Sequence, residues 1–93
     1  MNVETFDNVW DALTDTPAQS ANMTARSDLM IALTRHVKAW NLSQEAAASR
    51  LGITRPRLND LLRGKIDKFS LDALVNLVSA AGLHIEMRVA EAA

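Results

Sequence analysis

The amino-acid sequence predicts an all-α domain, a bundle of four to five helices followed by one C-terminal strand. Three observations carry this. Over most of the chain the large apolar residues recur every three or four positions, the spacing of one helix face. Ser43, Thr54 and Ser70 each precede such a stretch, where a hydroxyl can cap free N–H groups, and Gly52, Gly64 and Gly82 each follow one. Only Leu83–Val89 alternates strictly between apolar and polar residues, the period of a strand.

The 93 residues suffice for one domain, and a 48% hydrophobic share is enough for a modest core. The absence of cysteine excludes a disulfide scaffold, a thiol catalyst and thiolate zinc sites. His36 and His84 are too few and too far apart in sequence to suggest a metal site. The longest uncharged run, from Ala73, is about 13 residues and contains Asn76, Ser79 and His84, too short and too polar to span a membrane. No apolar leader segment follows Met1, so a cytoplasmic protein without a cofactor is expected.

Taken in order, Phe6, Val9, Trp10 and Leu13 fit a short amphipathic helix capped by Thr5 or Asp7. The polar run Thr14–Asn22, broken by Pro17, reads as a linker. From Thr24 to about Trp40 the spacing predicts a helix that buries Leu29, Leu33 and Val37 with Met30, Ala32 and Trp40, leaving Arg26, Arg35 and Lys38 to water. Asn41 tolerates the left-handed conformation that ends it.

Ser43 caps a short helix, Gln44–Leu51, and Gly52 turns the chain. Thr54 caps the next helix, which runs to Arg63 with Pro56 in its first turn and Leu58, Leu61 and Leu62 as its apolar stripe. Lys65–Phe69 is a basic loop. Ser70 starts a further helix with Asp72 in its first turn and Leu71, Leu74, Val75, Val78 and Ala81 facing inward. The strand Leu83–Val89 has no second strand to pair with in this chain. Its expected partner is the same strand of a second copy about a two-fold axis, through Leu83, Ile85, Met87 and Val89, or the sheet edge of another protein; a frayed tail is the plain alternative. These elements divide the chain into an N-terminal arm (1–23), a helical domain (24–82) and a C-terminal strand and tail (83–93).

A formal net charge of −1 argues against nucleic acid until it is divided by segment. Residues 1–23 carry Glu4, Asp7, Asp11 and Asp15 and no base. Residues 50–68 carry Arg50, Arg55, Arg57, Arg63, Lys65 and Lys68 against Asp60 and Asp67, a balance of +4. A basic stretch is often no more than a solvated face, so the spacing has to decide. Here it coincides with two short helices joined by a tight Gly52-Ile53 turn, with small Ala47 permitting a close crossing and Ile53 filling the corner. That is the shape of a helix-turn-helix, although a generic helical hairpin shares it. The exposed face of the second helix offers Arg55, Arg57, Asn59, Asp60 and Arg63, groups able to bond bases or phosphates.

Leu42-Ser43-Gln44-Glu45-Ala46-Ala47, Leu51 through Lys65, Phe69-Ser70-Leu71-Asp72 and Leu77 together resemble the Cro/phage-repressor (XRE) family of helix-turn-helix proteins, with its lambda-repressor-like bundle. Within it the chain is most similar to a HigA-like antitoxin subgroup, whose N-terminal element resembles Asn8-Val9-Trp10-Asp11-Ala12-Leu13. The resemblance covers almost the whole chain. It departs at Arg55, where the subgroup usually has Gln, at Asn59, where it has Ser, and at the polar start Ala25-Arg26-Ser27-Asp28; the first two suggest a different operator.

The resemblance implies a dimeric repressor that binds double-stranded operator DNA and neutralises a RelE/HigB-like toxin, an mRNA-cleaving ribonuclease. It assigns base contacts to Arg55, Arg57 and Asp60, with Asn59 a weaker candidate. Phosphate contacts fall to Ser43, Gln44 and Thr54 at the helix starts and to Arg63, Lys65 and Lys68. Arg50 has an alternative in an ion pair with Glu45 or Asp60, and Arg57 in one with Asp60. The acidic arm, through Phe6, Val9, Trp10 and Leu13, suits a basic ribonuclease. His36 reads as a partly buried structural histidine and His84 as outward-facing on the strand. No nucleophile–base–orienter set is present, so no enzyme is expected. The alternative is a stand-alone phage or prophage-type regulator without a toxin.

Overall fold

The computed structural model describes residues 16–91. The short helix expected around Phe6, Val9, Trp10 and Leu13 lies outside them. Four α-helices and one 3₁₀ turn follow in order: α1 (Pro17–Ala39), α2 (Gln44–Leu51), α3 (Arg55–Leu62), the 3₁₀ turn (Ile66–Lys68) and α4 (Leu71–Ala80).

Helix α1 begins seven residues before the expected Thr24, so most of the run read as a linker is helical. Thr16 is the reason: its Oγ1 accepts the Gln19 N–H at 3.0 Å. Pro17 then occupies the first turn, where the missing N–H costs nothing and the fixed φ favours the helix. At the other end Asn41 takes φ 54°, the left-handed stop.

The next three helices start alike. The hydroxyls of Ser43, Thr54 and Ser70 accept the N–H groups of Ala46, Arg57 and Ala73 at 3.1, 3.2 and 3.1 Å. Helix α2 closes on Gly52, at φ 72°, and the Ile53 N–H returns to the Ala48 carbonyl at 3.0 Å. This double reversal leaves three residues between α2 and α3, so the two helices pack on each other at once.

One core joins all of these elements. Leu33, Leu58, Leu61, Leu74 and Phe69 are its largest fully buried side chains, with α1 packed mainly along α4. Met30, Val37, Ala47, Ala48, Leu51, Ile66, Leu77, Val78 and Ala81 complete it. Ala47 and Ile53 sit at the α2–α3 corner, Ala47 buried and Ile53 packed against the core.

Several expectations need correction. Ala32 is exposed, and Val75 is 40% exposed while Leu77 takes the inward position. Ala32 falls outside the Met30–Leu33–Val37 stripe of α1, and in α4 the stripe is Leu74, Leu77 and Val78, which leaves Val75 to one side. Arg26 does not face water: it is half-buried, its Nη1 donating to the Phe69 carbonyl at 3.2 Å.

The strand expected at Leu83–Val89 is not formed. Among the described residues there is no strand, because this single chain offers residues 83–89 no neighbour to pair with. Leu83 alone of its apolar set packs on the core, its N–H bonded to the Val78 carbonyl at 3.0 Å. Met87 and Val89 are 81% and 89% exposed.

Leu61 has no exposed surface, and its carbonyl accepts the Thr34 hydroxyl of α1 at 3.4 Å. Leu61→Ala is expected to lower stability by about 2–5 kcal/mol through lost burial and the cavity left behind. Urea unfolding measures this, and a loss under ~1 kcal/mol would contradict its place in the core.

Candidate nucleic-acid interface

Burial of Leu58 and Leu61 fixes the rotation of α3. At 3.6 residues per turn, Pro56, Asn59, Asp60 and Arg63 fall opposite that stripe, with Arg55 and Arg57 on its two flanks. An α-helix with its side chains is about 10–12 Å across, which fits the ~12 Å width of the major groove.

The candidate residues differ in how free they are. Arg55, Arg63 and Lys68 are exposed. Arg57 is half-buried and held: its guanidinium lies 4.1 Å from the Phe69 ring centroid, and its Nη1 donates to the Lys68 carbonyl at 2.6 Å. It does not pair with Asp60, whose carboxylate instead lies 3.6 Å from the Lys65 ammonium. Asp60 also receives the Lys65 N–H on its backbone carbonyl at 3.0 Å, so one residue at the end of α3 organises the start of the basic loop. Asn59 is half-buried on the outward side.

The candidate phosphate groups sit at helix ends. Ser43 and Thr54 each accept a backbone N–H, which leaves the hydroxyl proton free to donate to an anion. The first two N–H groups of α2, on Gln44 and Glu45, precede the first capped or intrahelical bond, and the dipole adds partial positive charge there. Arg63, Lys65 and Lys68 lie at and beyond the far end of α3. The fold thus brings the seven remaining DNA candidates other than Asp60, Asn59 and Arg57 to the starts of α2 and α3, the end of α3 and the loop after it.

Arg50 forms neither expected ion pair. Its guanidinium lies 4.2 Å from the Trp40 ring centroid, a cation–π contact, and His36 meets the same ring edge-on at 5.7 Å between centroids. Sequence reasoning missed both aromatic partners. Arg57 and Phe69 are twelve residues apart on different elements, and no periodicity links them. Among the described residues no group of His, Cys, Asp or Glu could hold a metal, and no helix is long and apolar enough to cross a membrane.

The family model described as "Helix-turn-helix domain" matches residues 12–90. The chain belongs to that family. A solved chain described as "Putative XRE Family Transcriptional Regulator" is similar at a TM-score of 0.69 and 31% identity, over 76% of this chain and 80% of that one. This places the helix-turn-helix chain in the XRE family and agrees with the resemblance carried by Leu42–Lys65. No match was found among curated proteins.

Because Arg57 is anchored, its removal is expected to be felt without DNA. Arg57→Ala should cost about 1–2 kcal/mol of stability, from the lost cation–π contact and hydrogen bond. Arg55→Ala should stay within ~0.5 kcal/mol of the parent. Equal unfolding midpoints for the two variants in urea would remove the anchoring role.

Proposed function

We propose that this chain is a sequence-specific DNA-binding repressor that acts as a dimer in the cytoplasm and serves as the antitoxin of a type II toxin–antitoxin pair. The observation that carries DNA binding is α3, set three residues beyond α2 with its outward face and both ends supplied with donors. In this reading Arg55 and Arg57 approach guanine edges, Asp60 accepts from cytosine and Asn59 offers an amide to adenine. Ser43, Gln44, Thr54, Arg63, Lys65 and Lys68 hold phosphates. The chain binds rather than catalyses. The relative described as a transcriptional regulator supports the same reading.

Dimerisation is assigned to residues 83–89. Ile85, Met87 and Val89 leave apolar surface exposed at every second position of a segment whose backbone pairs with nothing in the single chain. A second copy about a two-fold axis would satisfy both. It would also set two α3 helices to read half-sites about 34 Å apart.

The antitoxin assignment rests on the resemblance of Asn8–Leu13 and on the arm's charge. Four acids and no base in residues 1–23, with Phe6, Val9, Trp10 and Leu13, suit a basic ribonuclease surface.

Arg55→Ala is expected to weaken operator binding by about 1–3 kcal/mol, roughly 5- to 150-fold, while binding to scrambled DNA changes little. Lys65→Ala with Lys68→Ala should weaken both equally and flatten the dependence of log K on log salt by about 2. Mobility shifts with the chain's own promoter read all three, and two chains should be found per shifted site. Equal affinity for promoter and scrambled DNA would overturn the assignment.

For the toxin, Trp10→Asp should abolish neutralisation of a small basic ribonuclease encoded beside this chain while operator binding persists. Full neutralisation by that variant would remove the arm from the contact.

A further inference from the structure

Beside the recognition unit lies a cleft of about 470 Å³ between α1, the end of α3 and the loop that follows. That volume falls within the range of roughly 300–1,000 Å³ usual for small-molecule sites. Along the α1 wall its character changes from one end to the other. Ser27, Met30 and Ile31 come first and are uncharged, and Arg35 and Lys38 follow on the same helix face. Lys38 lies about 10 Å beyond Ile31 along the axis. The opposite wall runs in register with it. Arg26 reaches the Phe69 carbonyl at one end, and the Thr34 hydroxyl reaches the Leu61 carbonyl further on. Ile66 therefore stands across from the apolar end, and Leu62 and Arg63 from the cationic end, where Leu62 and Lys38 also share a second, smaller cavity.

We propose that this cleft binds a soluble acyl carboxylate, with its head at Arg35, Lys38 and Arg63 and its chain along Met30, Ile31 and Ile66. Charge is the first observation that selects this ligand. No acid lines the cleft, and among the described residues none of the three cations has an ion-pair partner. An anion placed between them relieves their mutual repulsion, and a guanidinium matches a carboxylate in a two-bond fork.

The second is the order of the two ends. Ile31 is 53% exposed, a large apolar side chain facing water, and the nearest cations lie on the next turns of the helix. A small inorganic anion would use the cations and leave Ile31 wet. A neutral hydrocarbon would cover Ile31 and leave the cations without a counter-charge. A molecule with an ionised head and an apolar chain satisfies both ends at once, and the separation of about 10 Å along α1 favours an elongated chain over a compact ring.

Arg63 is also one of the groups assigned to phosphate, so a carboxylate seated here competes with the DNA backbone for it. Binding itself requires neither DNA nor toxin. It is tested without them and stands or falls apart from both.

The test titrates the full chain with octanoate below its micelle concentration and follows the methyl groups by NMR. Saturable shifts are expected at Met30, Ile31, Leu62 and Ile66. Acetate, which has the head without the chain, should leave these methyls unmoved. Octanol, which has the chain without the charge, should bind about tenfold more weakly, the scale of losing two or three partly exposed charge contacts. Arg35→Gln with Lys38→Gln should bring octanoate close to the affinity of octanol and leave octanol unchanged. Both substituted side chains are exposed, and an unchanged unfolding midpoint checks that the fold survives. The proposal is overturned if the shifts do not saturate or fall elsewhere, if octanol binds as tightly as octanoate, or if the double variant keeps full affinity for octanoate. Retention on phosphatidylglycerol vesicles without saturable octanoate binding would assign the cleft to a membrane surface and overturn it equally.

Discussion

The loop between α3 and α4 depends on one side chain. Phe69 is 1% exposed, and three elements converge on it: Arg57 of α3 lies over its ring, Arg26 of α1 donates to its carbonyl, and Ser70 beside it caps α4. The Arg57 guanidinium also ties down the Lys68 carbonyl, so the basic loop is held at both its backbone and its ring. Without this knot α3 would keep its helix, since Thr54 and Gly64 act locally, and its rotation, which Leu58 and Leu61 set, but the basic loop after it would lose its ties to Arg57 and Arg26. The recognition surface therefore takes its rigidity from a residue that offers no donor to a nucleic acid.

The charges divide the labour. Arg26, Arg50 and Arg57 each hold a partner within the protein, respectively a carbonyl, the Trp40 ring and the Phe69 ring. Arg55, Arg63 and Lys68 remain at the surface, and Lys65 reaches Asp60 while still partly exposed. The apparent excess of base in residues 50–68 thus has two functions that composition cannot separate. An arginine over an aromatic face loses little of its positive field outward, so the anchored groups still add to the potential around α3.

What was legible in the sequence was what is decided locally. Ser43, Gly52, Thr54, Ser70 and Gly82 act within four residues of themselves, and the helices they bound lie where the caps and stops place them. Thr16-Pro17 carries the same kind of signal but was outweighed by the polar run around it. A helix on the surface of a small bundle can bury a single serine, here Ser20, and still form. The partners of Arg26, Arg50 and Arg57 were not legible, since each is fixed by packing between elements distant in sequence. The same holds for the cleft, whose floor draws on Met30 and Ile31 of α1 and on Leu62 of α3. Residues 83–89 show a third case: an alternating pattern records a preference for pairing that one chain alone does not satisfy.

The knot around Phe69 also bears on how proteins of this shape diverge. Position 57 is committed to Phe69 and Lys68, and position 60 to Lys65, so each change there disturbs the scaffold as well as the surface. Arg55 and Arg63 carry no such obligation. Duplicated copies of this chain could drift apart in DNA preference through positions 55 and 59 while folding identically, whereas a lineage that altered position 57 would lose part of the hold on Phe69.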